Sequence, residues 1–352
     1  MNVGILYDGV IEKYAQEDID EAIEMKLISD ALTDLGFTPL KIPLSLNIDP
    51  SIFQKYCNSF VFNCLDSLEE KGSLAYIIPT ILDELDIPYT GSSAEAIYLT
   101  SNKIITKRIL KSAGLLTPPW MTVEDVIKEQ IAFEPPYIIK PIREDGSSGL
   151  DENSVIYSKK LLREAIMKRS KKDRDSCFIA SYIEGREFNV SLLIDKYNPQ
   201  ILPPLEIQFK NFPEDKPKFI DYKAKWIKTS FEYQNTVRNF EFSSEDIELL
   251  DNLVNISEKC WSIFGLEGYA RIDFRVDSNG IPWILEINAN PYLGSDSSFI
   301  SSANKAGLDF NQVIERIIQK PVKKIKSQLN CYIPGLTLMI IHFLVDFYHF
   351  YT

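Results

Sequence analysis

Asp273, Glu286 and Asn288 are the residues whose types and spacing point most directly to chemistry. They lie in two segments, Gly268 to Val276 and Ile281 to Pro291, whose apolar and polar residues alternate as in β-strands. Two facing carboxylates destabilise a strand pair unless a cation lies between them. Carboxylate and amide oxygens are the ligands that hard divalent cations prefer, so these residues are interpreted as a Mg²⁺ site, which Mn²⁺ would also fit.

The pairing of these carboxylates depends on the turn that joins the two segments. A two-residue turn centred on Asn279-Gly280 would set Asp273 directly opposite Glu286 and Arg271 opposite Asn288. The same count places Leu285 on the apolar face of its strand. The alternative interpretation is a solvated hairpin face, on which neighbouring arginines offset the two carboxylates.

Lysines in three other stretches have the surroundings of phosphate-binding residues. Lys140 ends a short apolar strand and is followed by a loop of glycine and serine, Glu144 to Gly149. Such a loop offers backbone N–H groups, hydroxyls and a positive charge to a polyphosphate, although its residue order is not that of a P-loop. Lys103 lies in the first turn of a predicted helix, and Lys225 lies in the segment Asp221 to Trp226. Taken singly, each lysine fits a solvated surface position and the loop fits an ordinary turn.

The composition is that of an ordinary globular protein. The 352 residues are 45% hydrophobic and 25% charged, which is enough for two or three domains with their own cores. A net charge of -12 argues against nucleic-acid binding, so any phosphate site must be local. The five cysteines are unclustered, and the first strand, Met1 to Tyr7, lacks the basic flank of a signal peptide. These features predict a cytoplasmic protein with reduced thiols.

The elements that must position these residues begin with a βαβ half-sheet. The first hundred residues alternate strand and helix, with a helix predicted from Asp20 to Leu35 and no GxGxxG motif. Strands are predicted at Cys177 to Ile183 and Glu187 to Ile194, and a helix from Ser244 to Phe264 precedes the hairpin. The proline-rich stretch Pro199 to Lys218 is interpreted as a connection.

The end of the chain differs in composition from the rest. Tyr332 to Phe350 is mostly apolar, but His342, Asp346 and His349 interrupt it. The uncharged run is shorter than the roughly 20 residues of a membrane-spanning helix. A helix docked on the protein, on a partner subunit or at a membrane interface is expected, with a spanning anchor as the alternative.

Taken in order, these stretches resemble the ATP-grasp superfamily, and within it the D-alanine-D-alanine ligases, over roughly residues 1 to 320. The segments that carry the resemblance are Lys140-Pro141 with the loop that follows, Gly185-Arg186-Glu187-Phe188, Ala224-Lys225-Trp226, Arg271-Ile272-Asp273-Phe274, and Glu286-Ile287-Asn288 with Asn290-Pro291. The resemblance implies an α/β (α+β) ATP-grasp fold with a Rossmann-like parallel half-sheet in residues 1–100. Two ATP-grasp subdomains that enclose ATP, 101–184 and 185–320, would follow, and then the apolar tail 321–352.

The resemblance also implies the role of individual residues. Lys103 and Lys140 would contact the ATP phosphates beneath a flap that contains Ser147. The adenine would lie in the hinge at Ser181, Tyr182 and Ile183, with Glu187 on the ribose. The remaining implied roles are a third phosphate-side lysine at Lys225, a stabiliser of the reacting groups at Arg271, magnesium ligands at Asp273, Glu286 and Asn288, and a loop for the second substrate's carboxylate at Gly294, Ser297 and Ser298.

The departures from the family pattern fall in the half of the site that binds amino acids. The family's Ser-x-Glu motif, whose glutamate holds the first substrate's ammonium, is replaced here by acidic residues among which Glu17 or Asp18 would substitute. Gly146 and Trp226 stand where the family has a flap serine and a tyrosine, and Ala180 stands where many relatives have a hinge glutamate. The nucleotide and metal half is therefore intact, whereas the substrate is left open.

The resemblance implies a carboxylate-amine ligase that uses ATP and Mg²⁺, acts through an acyl phosphate on small amino-acid-like substrates, and forms a homodimer. D-Alanyl-D-alanine, a peptidoglycan precursor, is the first candidate product. One alternative is an amide ligase that joins an amino acid to another small acid or a natural-product precursor. Another is a non-catalytic nucleotide-binding protein, which the intact Lys140, Asp273, Glu286 and Asn288 disfavour.

Overall fold

The computed structural model describes residues 1–10, 20–56, 59–144, 147 and 149–330. Glu17, Asp18 and Gly146 lie outside the described residues, and so does the apolar segment 332–350. Within the described part of the chain, no helix combines the length and the apolar character needed to cross a membrane.

The N-terminal part is built on a parallel sheet, as the alternating pattern predicted. Its elements are β1 (Asn2–Asp8), α1 (Asp20–Asp34), β2 (Thr38–Leu44), β3 (Phe60–Asn63) and α2 (Ile77–Glu84). β1 is the central strand and pairs in parallel with β2 on one side and β3 on the other. The segment Ile87-Pro88-Tyr89 adds only a single parallel bridge, between Val61 and Tyr89.

The second sheet has four strands in the order β4-β7-β5-β6, all antiparallel. Its elements are α3 (Ala94–Ser101), α4 (Lys103–Ser112), β4 (Trp120–Thr122), α5 (Val123–Ile127), β5 (Tyr137–Pro141), β6 (Val155–Ile156), α6 (Lys159–Lys168), α7 (Lys171–Asp175) and β7 (Cys177–Ser181). The sequence pattern predicted one helix opening near Ser101. The structure has two, because Asn102 ends α3 and its side chain accepts hydrogen bonds from the first turn of α4.

The third sheet has six strands and holds the predicted hairpin. Its strands are β8 (Arg186–Asp195), β9 (Asn198–Ile201), β10 (Leu205–Phe209), β11 (Thr236–Asn239), β12 (Tyr269–Val276) and β13 (Pro282–Asn288). Its helices are α8 (Tyr222–Trp226), α9 (Phe231–Gln234), α10 (Ile247–Phe264), α11 (Ser298–Lys305), α12 (Phe310–Ile317) and α13 (Gln319–Asn330). The strand order is β11-β10-β8-β12-β13, with β9 paired to β8.

The interpretation of Pro199 to Lys218 as a connection was wrong, since β10 and most of β9 lie in it. Pro199 is tolerated in β9 because that strand pairs only with β8 among the described strands and so lies at an edge. The prolines obscured the strand pattern. The helix that was expected before the hairpin is confirmed as α10.

One face of this large sheet is apolar and buried. Phe188, Val190, Ile272 and Phe274 belong to a core cluster that also contains side chains of α10. Because side chains alternate along a strand, the residues between them point to the other face. That face is left for the polar side chains.

The hairpin between β12 and β13 contains a β-bulge. The turn spans three residues, because the Asp277 N–H donates to the Ile281 carbonyl at 3.1 Å. Phe274 pairs with Ile284, whereas Asp273 pairs with Glu286, so Leu285 is the extra residue. The predicted two-residue turn was therefore wrong, and the bulge restores the predicted facing of the two carboxylates. It also turns Leu285 from the expected apolar face toward the cavity described below.

Gly185 is required where the chain passes from β7 into β8. Its φ is 145°, and a Cβ there would lie 1.9 Å from the Val276 carbonyl oxygen. Only glycine fits this close approach of two backbones. The hinge between the two antiparallel sheets is thereby packed directly against the end of β12.

Candidate active site

A cavity of about 250 Å³ lies between the two antiparallel sheets. The smaller sheet contributes Lys140 from β5 and Ser181 from β7. The larger sheet contributes the polar residues of β8, β12 and β13. The cavity is also bounded by residues 219–226, which lead into and include α8, and by residues 292–298, which lead into α11.

The polar face of the large sheet carries two successive rows of facing side chains. Asp273 lies between Asn189 of β8 and Glu286 of β13. Two residues along β12, Arg271 lies opposite Asn288. The predicted pairings of Asp273 with Glu286 and of Arg271 with Asn288 are confirmed.

Asp273 is held by nitrogen donors. Its carboxylate accepts from Arg271 Nε at 2.7 Å and Nη2 at 2.8 Å, and from Asn189 Nδ2 at 2.7 Å. Burial raises the pKa of Asp273, with the facing Glu286 adding to the rise, while Arg271 opposes it. Arg271, to which the family resemblance assigns the role of stabilising the reacting groups, is therefore also the ion-pair partner of a predicted metal ligand.

Glu286 is surrounded by cations. Its nearest ion-pair partner among the described residues is Lys103, with Nζ 3.8 Å from Oε2. Burial alone would raise the pKa of Glu286, but Lys103, Lys140, Arg271 and Lys225 lower it to about 2. Glu286 therefore stays ionised, and the same four cations line the cavity, where they can also contact phosphate oxygens.

The donor set of Asp273, Glu286 and Asn288 suits a hard cation that also binds substrate. The described residues contain no cluster of three or more acidic, histidine or cysteine side chains able to cage a metal. Mg²⁺ does not need such a cage, because it is commonly bound by one or two carboxylates together with phosphates and water. Asp273 and Glu286 face each other and line the cavity, so these two carboxylates fit the ion. Asn288 lies opposite Arg271 and is not among the residues that line the cavity.

Two predicted phosphate lysines lie where the smaller sheet meets this carboxylate pair. Lys103 opens α4, and its Nζ donates to the Glu144 carbonyl at 2.7 Å. Lys140 is the penultimate residue of β5, and burial lowers its pKa, while Glu286 opposes that effect. Lys225 lies in α8 with Nζ 5.0 Å from the centre of the Trp226 ring. All three lysines line the cavity.

Ser147 also lines the cavity, and its hydroxyl donates to the Ile220 carbonyl at 2.8 Å. The Tyr222 N–H donates to the Leu150 carbonyl at 3.2 Å. These two bonds join the predicted flap to the segment that leads into α8. Ser147 and Leu150 therefore lie against the side of the cavity that holds Lys225.

Lys107 is a buried lysine that the sequence pattern did not single out. Its Nζ donates to Thr117 Oγ1 at 2.7 Å and to the Pro118 carbonyl at 3.1 Å. Burial lowers its pKa well below the usual value, and Lys140 adds to the effect. The available signal was its spacing, since a residue four positions after Lys103 shares the same helix face.

Of the three residues predicted to form the adenine hinge, two already use their backbone N–H groups in hydrogen bonds within the protein. The Ser181 N–H donates to the Pro119 carbonyl and the Tyr182 N–H donates to the Pro136 carbonyl, both at 2.9 Å. The Ile183 N–H has no acceptor among the residues that the structure describes. Ile183 is therefore the hinge residue whose N–H can bind an adenine edge.

Glu187, predicted to contact the ribose, forms a buried ion pair with Arg275, with Nη1 2.9 Å from Oε2. Burial raises the pKa of Glu187, whereas Arg275 lowers it. Arg275 also donates from Nε to the Ile183 carbonyl at 3.0 Å. The pair thus joins the large sheet to the hinge.

The opposite end of the cavity is formed by the loop after β13. Tyr292 meets Trp226 edge to face, with ring centres 6.5 Å apart. A Cβ on Gly294 would lie 1.9 Å from the Tyr292 hydroxyl oxygen, so the glycine makes room for that ring. Ser297 caps α11 by accepting from the Ile300 N–H at 3.1 Å, and Ser298 is the first residue of that helix.

The same loop is tethered to the N-terminal part of the chain. Asn290 Nδ2 donates to the Leu65 carbonyl at 2.9 Å, and the Leu293 N–H donates to Glu24 Oε1 at 2.6 Å. Glu24 is buried in α1. It is a second contact that the sequence pattern missed, because more than two hundred residues separate it from the loop.

Replacement of Glu24 by glutamine is expected to change how stability depends on pH. Burial raises the pKa of Glu24 from 4.5 to about 8, although the Leu293 N–H opposes the rise. The folded protein therefore retains a proton that the unfolded chain releases, so raising the pH from roughly 5 to 8 should cost the wild type up to a few kcal/mol. Glu24→Gln should lose less. Denaturant unfolding at both pH values measures this, and the same pH dependence in both proteins would contradict it.

Comparison with known proteins gives concordant matches. The family described as "D-ala D-ala ligase C-terminus" matches residues 109–319. The D-alanine-D-alanine ligase of Methylacidiphilum infernorum is 30% identical over 84% of this chain and 88% of its own length. The D-alanine-D-alanine ligase of Aquifex aeolicus is 31% identical over 83% of this chain and 92% of its own length.

Solved structures share the fold. The D-alanyl-alanine synthetase A of Vibrio cholerae has a TM-score of 0.72 at 17% identity, covering 92% of this chain and 98% of its own. The D-alanine-D-alanine ligase of Bacillus anthracis, solved as a complex with ATP, has a TM-score of 0.66 at 21% identity, covering 93% and 99%. The three-sheet architecture is therefore that of known proteins.

Proposed function

The chain belongs to the D-alanine-D-alanine ligase family, and from the geometry of its cavity we propose that it joins two D-alanine molecules into D-alanyl-D-alanine at the expense of ATP. It is an ATP-dependent ATP-grasp ligase that forms a peptide bond. The observation that carries the proposal is the Asp273 and Glu286 pair, which lies beside Lys103 and Lys140 in the cavity.

In the first step, a carboxylate oxygen of one D-alanine attacks the γ-phosphorus of ATP, and ADP leaves with the electrons of the broken P–O bond. The product is an acyl phosphate. Such a transfer needs neutralisation of phosphate charge rather than a protein nucleophile. Lys103, Lys140 and Lys225 supply positive charge here, while the Ile183 N–H and Glu187 hold the adenosine. The flap that contains Ser147 keeps water from the acyl phosphate.

In the second step, the amine of the other D-alanine, having lost a proton from its ammonium form, attacks the acyl carbon. The carbonyl oxygen gains negative charge, the C–O bond to phosphate breaks, and inorganic phosphate leaves. Arg271 lies in the row next to the carboxylate pair and donates to the developing oxyanion. The loop at Gly294, Ser297 and Ser298 receives the second substrate's carboxylate.

Mg²⁺, or Mn²⁺ in its place, would be held by Asp273, Glu286 and Asn288. When bound there, the ion neutralises the phosphate oxygens and orients them for in-line transfer. Arg271 must then share Asp273, since both of its bonds to that carboxylate are present in this structure.

The proposal is tested by mass detection of D-alanyl-D-alanine from purified protein with ATP, Mg²⁺ and millimolar D-alanine. The dipeptide and a matching amount of ADP are expected, and L-alanine serves as the stereochemical control. A panel of D- and L-amino acids and hydroxy acids is screened in parallel for ADP release.

Two results would overturn the proposal. In the first, no dipeptide forms and another amine drives ADP release, which would show that the enzyme forms a different amide bond. The contact between Trp226 and Tyr292 at the acceptor end would then be the place where its specificity differs. Absence of ADP release with every amine and acid would indicate a nucleotide-binding protein without turnover.

A further inference from the structure

The cavity has a nucleotide end and an acceptor end, which follow from the direction of β12. Arg275, Asp273 and Arg271 occupy alternate positions of this strand and span about 13 Å at the usual strand rise. Arg275 donates to the hinge carbonyl of Ile183, so it marks the nucleotide end. Arg271 lies opposite Asn288, where β13 leads into the loop of residues 289–298, and marks the acceptor end.

A second arginine reaches this acceptor end from the far edge of the sheet. Arg238 lies in β11, where it pairs with Ile207 of β10. Its side chain lines the cavity, and its Nη2 donates to the backbone carbonyl of Asp296. That carbonyl immediately precedes Ser297 and the start of α11, so the guanidinium is fixed beside the loop that receives the acceptor.

Among the described residues, Arg238 uses fewer of its guanidinium N–H donors in hydrogen bonds than Arg271 does. Arg271 directs both Nε and Nη2 to Asp273. Arg238 forms no ion pair with any carboxylate among the described residues, and the Asp296 carbonyl uses one of its five N–H groups. Burial lowers the pKa of Arg238, while the nearby Asp296 carboxylate opposes this shift without forming an ion pair. A guanidinium that lines a substrate cavity and has donors unused among the described residues is suited to bind a carboxylate.

We propose that Arg238 binds the carboxylate of the acceptor amino acid, the one whose amine forms the peptide bond. This assignment rests on the proposed function, since it supposes that an amino acid enters at this end. It divides the work between two arginines: Arg238 neutralises a charge that is present throughout the reaction, and Arg271 is left for the oxyanion that develops during it. The sequence pattern could not reveal Arg238, because β11 was not predicted as a strand.

The test compares two acceptors that differ only in the carboxylate. Protein, ATP and Mg²⁺ are incubated with D-alanine and D-alaninamide together, and D-alanyl-D-alanine and D-alanyl-D-alaninamide are quantified by mass. Their ratio measures relative kcat/KM for the two acceptors within one tube. The proteins compared are the wild type, Arg238→Gln, Arg238→Lys and a control, Arg169→Gln. Arg169 likewise donates to a backbone carbonyl, that of Ala165 at 3.1 Å, but lies outside the cavity.

The Arg238→Gln variant is expected to lower the ratio by on the order of tenfold or more, the value of a charge-assisted hydrogen bond. Arg238→Lys should give an intermediate ratio, and Arg169→Gln should match the wild type. If Arg238 only anchors the Asp296 loop, both products fall together and the ratio is unchanged, which would overturn the assignment. If the wild type forms neither product, the proposed function fails and the assignment fails with it.

Discussion

Asp273→Asn and Glu286→Gln are each expected to lower ATP-dependent ADP formation by about a hundredfold or more. The two carboxylates face each other on neighbouring strands, and each supplies a hard anionic oxygen that a neutral amide does not replace. Asp273→Asn also removes the charge that holds Arg271 in place. Turnover at saturating ATP and across a range of Mg²⁺ concentrations measures the effect.

The control for both variants is Glu124→Gln, which breaks an exposed ion pair with Lys128 away from the cavity. Exposed pairs of this kind contribute little, so turnover and unfolding should stay close to the wild type. Asp273→Asn and Glu286→Gln should still unfold cooperatively. Near-normal turnover in both would remove the basis for a metal site at this position.

Lys140→Ala is expected to weaken ATP binding and to lower turnover by at least tenfold, roughly the loss of one charge-assisted contact to phosphate. Lys140 lies near the end of β5, lines the cavity and contributes to the low pKa of Glu286. Lys159→Ala is the matched control, because Lys159 pairs with Glu134 at 2.6 Å on the surface. Nucleotide titration monitored by calorimetry and steady-state turnover are measured for both.

Equal and small effects of the two lysine substitutions would place Lys140 among ordinary surface lysines. A large effect on ATP affinity with an unchanged affinity for D-alanine would assign Lys140 to the nucleotide end. The acceptor affinity should respond instead to Arg238. The two substitutions thus test opposite ends of one cavity.

The polar face of the hairpin could be predicted from the sequence because its information is local. Alternation along β12 and β13 fixes which side chains share a face, and Asp273 and Glu286 are only thirteen positions apart. The parallel half-sheet was predictable for the same reason, since each strand and helix of the first hundred residues carries its own pattern.

What could not be predicted depends on contacts between distant parts of the chain. The acceptors that occupy the Ser181 and Tyr182 N–H groups, at Pro119 and Pro136, lie some forty to sixty positions away in sequence. Glu24 and Arg238 reach the loop after β13 from a helix and a strand whose own patterns say nothing about that loop. A cavity built between two sheets is a property of how the sheets face each other. The residue pattern within a single strand does not show how two sheets are arranged.

The bulge at Leu285 makes the pairing of Asp273 with Glu286 insensitive to the length of the hairpin loop. Leu285 has no partner on β12, so β13 contains one residue more than β12 between the turn and the Asp273–Glu286 pair. Loss of one residue from the three-residue loop at 278–280 can be taken up by straightening the strand. Asp273 would still face Glu286, and Leu285 would turn back toward the core. Over evolutionary time a change of length in this loop should therefore be tolerated, because it alters the shape of the cavity at Leu285 and leaves Asp273 paired with Glu286.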